Sequence, residues 1–264
     1  MKKKILKNKI GIFQGRLSDS SFLQNYPKDW KREILIAKYL SYSHVEFFLE
    51  EEKNKLNPFW SNKERKKIKN LLYKNFKNKE FLICDNYLIK NNLYNFKTTQ
   101  YLKKILMNLK DFRKSKLILP LNNFYFDDVI KLSNYLNNVL KYKSSNTDIS
   151  FEIDSDDDKI KKFFKLLKIK NCGITFDTGN IFLKNKLISK TFKLIKNLIN
   201  HVHIKDRSIH GDNVELGTGL INFKRFFNLL KKENYNDTIT LETFRRKNAI
   251  LQAFKNTIYL NKIL

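Results

Sequence analysis

Ser150-Phe151-Glu152, Thr175-Phe176-Asp177, His201-Val202-His203 and Thr240-Leu241-Glu242 decide how this chain is read. Each sets a large apolar residue between polar ones. Period-2 alternation then puts the polar pair on one face of a strand and Phe, Val or Leu on the other. A sheet with that division suits a barrel whose apolar face packs on helices and whose polar face points into the lumen or its mouth. Glu152, Asp177, His203 and Glu242 end the four segments. Three carboxylates and one imidazole converging at one rim make a mixed O/N site for a divalent cation.

Strands and helices alternate outward from these segments. Strands are expected at Lys9–Gln14, His44–Phe48, Phe81–Tyr87, Lys116–Leu121, Asp148–Asp154, Gly173–Asp177, Asn200–Lys205 and Thr238–Thr243. Helices are expected at Trp30–Leu40, Lys63–Lys77, Thr98–Arg113, Asp127–Leu140, Asp158–Leu167, Lys190–Leu198, Phe223–Lys232 and Asn248–Leu260. Phe223, Phe226, Phe227 and Leu230 form an i, i+3, i+4, i+7 stripe behind Asn222, a natural N-cap. The acidic run Asp154-Ser155-Asp156-Asp157-Asp158 suits the N-terminus of the fifth helix. Eight βα units predict an α/β fold, a closed (β/α)8 TIM barrel, with its chemistry at the C-terminal ends of the strands. No linker, repeat or low-complexity tail divides residues 1–264, so a single domain is expected.

Composition narrows the function. The net charge of +27 invites a nucleic-acid partner, yet eight of the 53 basic residues are Arg and 45 are Lys. Base and phosphate readers favour the Arg fork, so Lys, Asn and Ile richness reads as compositional drift, and no specific nucleic-acid partner is expected. Cys84 and Cys172 are too few for a disulfide scaffold and fit reduced thiols in a cytoplasmic protein. Met1-Lys2-Lys3-Lys4 begins like a signal peptide, but Lys7 and Lys9 interrupt any apolar core. No run of 18 apolar residues exists, so no membrane partner is expected. The seven glycines (11, 15, 173, 179, 211, 217 and 219) all lie near strand ends or the loops after them, where positive φ or close backbone approach is required.

Several motifs together resemble a known group. Gly11-Ile-Phe-Gln-Gly-Arg-Leu-Ser18, Asn57-Pro58, Cys84-Asp85, Phe176-Asp177-Thr178-Gly179-Asn180, His201-Val-His-Ile-Lys-Asp-Arg207 and Leu216-Gly217-Thr218-Gly219 are similar, in this order, to the xylose isomerase-like TIM barrels. More narrowly, they resemble the sugar phosphate isomerase/epimerase members. The resemblance implies that Glu152, Asp177, His203 and Glu242 hold one divalent metal, the same set that alternation reaches. It further implies carbohydrate metabolism, with Glu152 and Glu242 as paired acid and base. Related epimerases often carry a His three residues after the strand-six Asp. Here that position is Asn180, a candidate substrate contact.

The chemistry this constellation supports is proton movement beside a carbonyl. A divalent cation, Mn²⁺ or Mg²⁺ by preference with Co²⁺ or Zn²⁺ possible, would chelate a ketose carbonyl and its adjacent hydroxyl and stabilise the enediolate. Reprotonation on the same carbon makes an epimerase, and on its neighbour an aldose–ketose isomerase. Glu46, Gln14 and Arg16, at the ends of strands two and one, are expected to bind substrate hydroxyls. Lys205 and Arg207 are expected to meet a phosphate or carboxylate, which favours a phosphorylated or otherwise acidic sugar over a neutral one. His201, one layer below His203, reads as structural. Two rivals share the fold: a barrel that binds sugar without isomerising it or does lyase-type chemistry, and an endonuclease IV-like nuclease. The nuclease resemblance calls for a three-zinc cluster rich in His, and this chain has four His in all.

Overall fold

The computed structural model describes residues 6–19, 26–153, 155–184 and 187–264. Met1-Lys2-Lys3-Lys4 and Asp154, the expected end of the fifth strand, lie outside the described residues. Strands β1 (Ile10–Phe13), β2 (Val45–Leu49), β3 (Glu80–Asp85), β4 (Lys114–Leu121), β5 (Thr147–Ile153), β6 (Cys172–Asp177) and β7 (Ile199–Ile204) follow in chain order. A separate antiparallel ribbon, β8 (Asp206–Arg207) with β9 (Asn213–Val214), precedes β10 (Thr238–Leu241). β1 to β7 and β10 close a parallel barrel in the ring order β1-β10-β7-β6-β5-β4-β3-β2. The (β/α)8 expectation is thus met.

Alternation places the layers. The outward residues Phe47, Phe81, Phe151, Phe176, Val202 and Leu241 are fully or almost fully buried under the surrounding helices. Phe151 meets Phe163 at 5.3 Å between centroids, and Phe176 stacks on Phe226 at 5.7 Å. Burying each such ring stabilises the fold by roughly 1.5–3 kcal/mol relative to leaving it exposed. Inside the barrel an apolar cluster interrupts the expected polar lining. Phe13, Phe48, Leu82, Cys84 and Ile118 fill the β1–β4 side with an apolar cluster. Ser150, Thr175, His201, His203 and Thr240 line the other side, all fully or almost fully buried.

One departure from strict alternation matters for the site. Between β6 and β7 the register slips, with Ile174 opposite Ile199 but Thr175 opposite His201. Asn200 is the extra residue, a bulge that lets its side chain turn inward beside that of His201. Its Oδ1 accepts from Ser150 Oγ at 2.6 Å and its Nδ2 donates to Ile149 O at 3.0 Å. Gly173 makes the room, because a Cβ there would stand 2.4 Å from Asn200 Cγ.

The helix ends differ from expectation for local reasons. Strand three stops at Asp85, whose Oδ1 accepts from Tyr87 N and starts a short helix at Tyr87–Lys90. The helix expected to begin at Asp127 is preceded by a 3-10 turn over Asn123–Asp128 and runs Val129–Leu140. The helix expected through Arg113 covers Phe96–Leu109 and unwinds before β4. The stripe helix forms at Phe223–Lys232, with Asn222 Oδ1 accepting from Arg225 N as its cap. Among the described residues no helix is long and apolar enough to cross a membrane.

Asp85 carries a consequence of its burial. It is fully buried, Tyr101 Oη donates to Oδ1 at 3.3 Å, and Oδ2 has no hydrogen-bond partner. Burial pushes its carboxyl up to about 7, against the lowering effect of the Tyr87 N–H. The unfolded group ionises near 4, so its contribution to stability falls as pH rises between those values and is lowest above 7. Asp85→Asn should therefore raise unfolding stability at pH 8 by about 1–3 kcal/mol. The gain should shrink as pH is lowered towards 5. A gain independent of pH in thermal melts would show a carboxyl whose ionisation does not change on folding, and a loss would show one that is ionised and paired when folded.

Candidate functional site

Four strand ends bring the predicted ligands together. Asp177 closes β6 and also caps the helix Thr178–Leu183, its Oδ1 accepting from Gly179 N at 2.8 Å and Asn180 N at 2.9 Å. That leaves Oδ2 to face inward. Register pairs Asp177 with His203 and His203 with Thr240, so Glu242 stands just beyond the same level. His203 Nδ1 is 3.1 Å from Glu242 Oε2, 3.7 Å from Glu152 Oε2 and 3.9 Å from Asp177 Oδ2. His203 Nδ1 and Asp177 Oδ2 are both buried, and Asp177 Oδ2 faces the Lys205 ammonium at 2.9 Å. Buried charged groups of this kind cost free energy unless opposite charges or an ion engage them. Three inward carboxylate oxygens around one imidazole nitrogen are the donor set of a divalent cation. The residues present fit such an ion.

His203 is aimed by a residue the sequence placed elsewhere. Glu46, expected to meet a substrate hydroxyl, is fully buried within the barrel. Its Oε1 lies 2.9 Å from His203 Nε2, and its Oε2 lies 2.9 Å from His201 Nε2. Thr240 Oγ1 also donates to Oε2 at 2.5 Å. No carboxylate oxygen of Glu46 remains for a ligand. A carboxylate on the far nitrogen of an imidazole is the usual means of fixing its tautomer and turning the other nitrogen to a metal. Glu46, His201 and His203 also approach closely enough to enclose an ion by themselves. Their hydrogen bonds to each other already satisfy both Glu46 oxygens. The chain continues through His44 Nε2 to Thr240 Oγ1 at 3.0 Å and through His201 Nδ1 to Thr238 Oγ1 at 2.7 Å. His44 and His201 are thereby committed to the interior, and His210 lies exposed on a loop. Only His203 reaches the cluster, so the several imidazoles of a three-zinc nuclease site are not assembled.

The charges set each group apart. Burial pushes the Glu46 carboxyl up, and the imidazoles of His203 and His201 overcome this and hold it well below the usual range. Burial lowers His201 to about 4 despite Glu46. Burial also pushes Glu152 up, reinforced by Asp177 and Glu242, whereas Lys205 and His203 pull it down less strongly. Glu242 is buried too, but Lys205, His203 and Arg16 together hold it below the ordinary value.

The remaining predicted residues divide into two groups. Asn180 Nδ2 donates to Glu152 Oε1 at 2.7 Å. Arg16 sits over the Phe13 ring at 5.1 Å, donates from Nε to Thr243 O at 3.0 Å and holds Nη2 3.8 Å from Glu242 Oε1. Gln14 spends Oε1 on Phe48 N at 3.3 Å and leaves a buried Nε2 without a hydrogen bond. These three border the cluster. Arg207, expected at an anion on the rim, instead donates from Nη1 to Gly211 O at 3.0 Å within its own loop. Lys205 is not at the rim but inside the cluster, with Nζ 2.9 Å from Asp177 Oδ2 and 3.0 Å from Glu242 Oε2.

Asp206 was not singled out by sequence reasoning, yet it organises the loop after β7. Its carboxylate accepts from Gly217 N at 2.8 Å, Gly219 N at 3.0 Å and Ile221 N at 3.3 Å. Gly217 has φ +89°, and a Cβ at Gly219 would fall 2.3 Å from Asp206 Oδ1. The available signal was the acidic residue directly after Lys205 followed by two glycines at a spacing of two.

Glu46→Gln keeps the shape but turns one acceptor into a donor facing an imidazole N–H. It should lower unfolding stability by about 2–4 kcal/mol, a drop of several degrees in thermal midpoint. An unchanged midpoint would mean that the two imidazoles present no proton to this side chain.

A family model described as xylose isomerase-like TIM barrel matches residues 147–261. No curated protein matches the sequence. Among solved structures, D-psicose 3-epimerase with D-tagatose from Clostridium cellulolyticum H10 superposes with a TM-score of 0.75 at 15% identity, over 97% of this chain and 99% of that one. The 3-keto-D-glucoside 4-epimerase from E. coli does so with a TM-score of 0.70 at 16% identity, over 96% and 99%. A xylose isomerase-like TIM barrel protein from Mycobacterium smegmatis, solved in complex with magnesium, gives 0.65 at 13% identity, over 97% and 96%. Residues 147–261 thus match the xylose isomerase-like TIM barrel family by sequence, and the whole length shares the fold.

Proposed function

We propose that this chain is a divalent-metal-dependent isomerase or epimerase of a sugar or sugar phosphate, with Glu152 and Glu242 as its acid–base pair. One observation carries the reading. Each glutamate turns one oxygen towards His203 Nδ1, at 3.7 and 3.1 Å, and has the other beside a donor, Asn180 for Glu152 and Arg16 for Glu242. Two carboxylates so held flank a common centre, which is what exchange of a carbon-bound proton between two sides of a substrate requires. The neighbouring epimerases of this fold support the substrate class, and the magnesium complex supports the ion.

Glu152, Asp177, His203 and Glu242 would hold the ion, which when bound supplies Lewis-acid polarisation of a carbonyl and its adjacent hydroxyl. The rest belongs to the chain's own side chains. Glu152 and Glu242 take and return the proton at the substrate carbon. Asn180 and Arg16 keep the two carboxyl groups from rotating. Gln14 Nε2 and Arg16 Nη1, both buried without hydrogen bonds, are available to substrate oxygens. The apolar wall of Phe13, Phe48 and Ile118 limits water on the opposite side of the lumen.

Two measurements test this. Elemental analysis of the purified protein should find about one divalent ion per chain, Mn²⁺ or Mg²⁺ by preference, and Asp177→Asn and His203→Ala should lose it. Ketoses, aldoses and their phosphates incubated in D2O should take up deuterium at the carbon that changes, visible by proton NMR. Exchange at C3 of a ketose marks an epimerase, and exchange at C1 or C2 with carbonyl migration marks an isomerase. Glu152→Gln or Glu242→Gln should reduce turnover by about 10²–10⁴-fold or more. A bound sugar that shows no exchange in the metal-loaded protein would sink the acid–base reading and leave a binding barrel.

A further inference from the structure

Lys205 stands in an unexpected place. Asp177 has one oxygen spent on its helix cap, so Oδ2 is what it can offer an ion. Glu242 turns Oε2 towards His203 Nδ1. The Lys205 ammonium bridges these same two atoms, at 2.9 and 3.0 Å. A divalent ion approaches carboxylate oxygens to about 2.0–2.6 Å. Set between the same two oxygens, it would meet the ammonium at a separation where like charges in a buried site repel strongly.

The backbone that presents Lys205 is fixed by Thr178. Thr178 Oγ1 accepts from Lys205 N at 3.0 Å and donates to Lys205 O at 3.0 Å. Gly179 gives the stem its room, because a Cβ there would lie 2.8 Å from Lys205 Cβ. The side chain is 12% exposed, which leaves the flexible stem a way out towards the mouth. Burial disfavours the ammonium, but Asp177, Glu242 and Glu152 more than restore its charge.

We propose that Lys205 is a resident counter-ion of the cluster, which a divalent cation must displace from Asp177 and Glu242 in order to bind. The proposal rests on the reading of these carboxylates as a cation site. It makes the metal-free chain stable, because the three carboxylates keep a positive partner, and it weakens metal affinity by the cost of moving that partner. The displaced ammonium then stands at the mouth beside the ion, where it donates to a substrate oxygen.

Mn²⁺ binding, followed by calorimetry and by the paramagnetic resonance of free Mn²⁺, tests this without any turnover assay. Lys205→Met and Lys205→Gln remove the competitor and should bind Mn²⁺ at least about tenfold more tightly than the unaltered protein, the scale expected for freeing two charged hydrogen bonds. Lys205→Arg keeps the charge and the reach, and it should bind no more tightly than the unaltered protein. Thermal melts confirm which variants are folded, and either neutral variant suffices. Equal affinity in the neutral and unaltered proteins, or weaker affinity in the neutral variants, would overturn the proposal and leave the cation site standing. Absence of Mn²⁺ binding in the unaltered protein and in every folded variant would overturn the cation site itself. Binding in the neutral variants alone would support both.

Discussion

A buried carboxylate shared between two imidazoles organises the interior of this barrel. Glu46 meets His201 on one oxygen and His203 on the other, with Thr240 donating to the same side as His201. These groups come from three strands, β2, β7 and β10, which are not consecutive in the chain. A carboxylate in a dry interior is costly unless each lone pair is engaged. Here the engagement also decides which nitrogen of His203 faces the cluster of Glu152, Asp177 and Glu242. Chemistry at the mouth therefore depends on a hydrogen bond one layer below it.

The lumen is divided rather than uniformly polar. Phe13, Phe48, Leu82, Cys84 and Ile118 close one side, while hydroxyls, imidazoles and an inward Asn200 close the other. An apolar side supplies packing, and a polar side supplies a hydrogen-bonded lattice that runs down to Lys116, whose Nζ donates to Asn200 O at 2.5 Å. Low dielectric strengthens every contact in such a lattice and equally raises the cost of any member left unpaired. Gln14 Nε2 and Arg16 Nη1 beside the cluster lack hydrogen-bond partners, as do Asp85 Oδ2 and Gln252 Oε1 away from it.

Above the cluster, a single carboxylate shapes the loop between β7 and the helix Phe223–Lys232. Asp206 gathers the N–H groups of Gly217, Gly219 and Ile221, and Arg207 ties the tip through Gly211 O. Glycine is required at 217 by its φ of +89° and at 219 by the close approach of Asp206. The loop thus holds its shape through contacts within itself, and Arg207 is spent on that task. Lys205, two residues earlier, is left as the cation that enters the cluster.

Alternation and spacing by themselves determined the barrel and the four converging residues at its rim. Both follow from local rules: a strand has two faces, and a βα unit places strand ends at one end of the barrel. Glu152, Asp177, His203 and Glu242 were legible because each sits on the inward parity of its strand, or just past it, at a strand's C-terminal end. Glu46 shares that parity and the sequence placed it correctly on the inward face, but not at the right depth. Depth depends on the stagger between strands that are distant in the chain, and only the closed barrel sets it. Asn200 turned inward because of a one-residue slip between β6 and β7, which alternation within one strand cannot reveal. Arg207 and Lys205 lie on the same short segment, and the sequence could not separate them. A carbonyl at Gly211 captured one and the paired carboxylates of Asp177 and Glu242 captured the other. Asp177 and Glu242 come from remote parts of the chain, and the Gly211 carbonyl reaches Arg207 only through the turn of its own loop, so the folded structure decided what each cation touches.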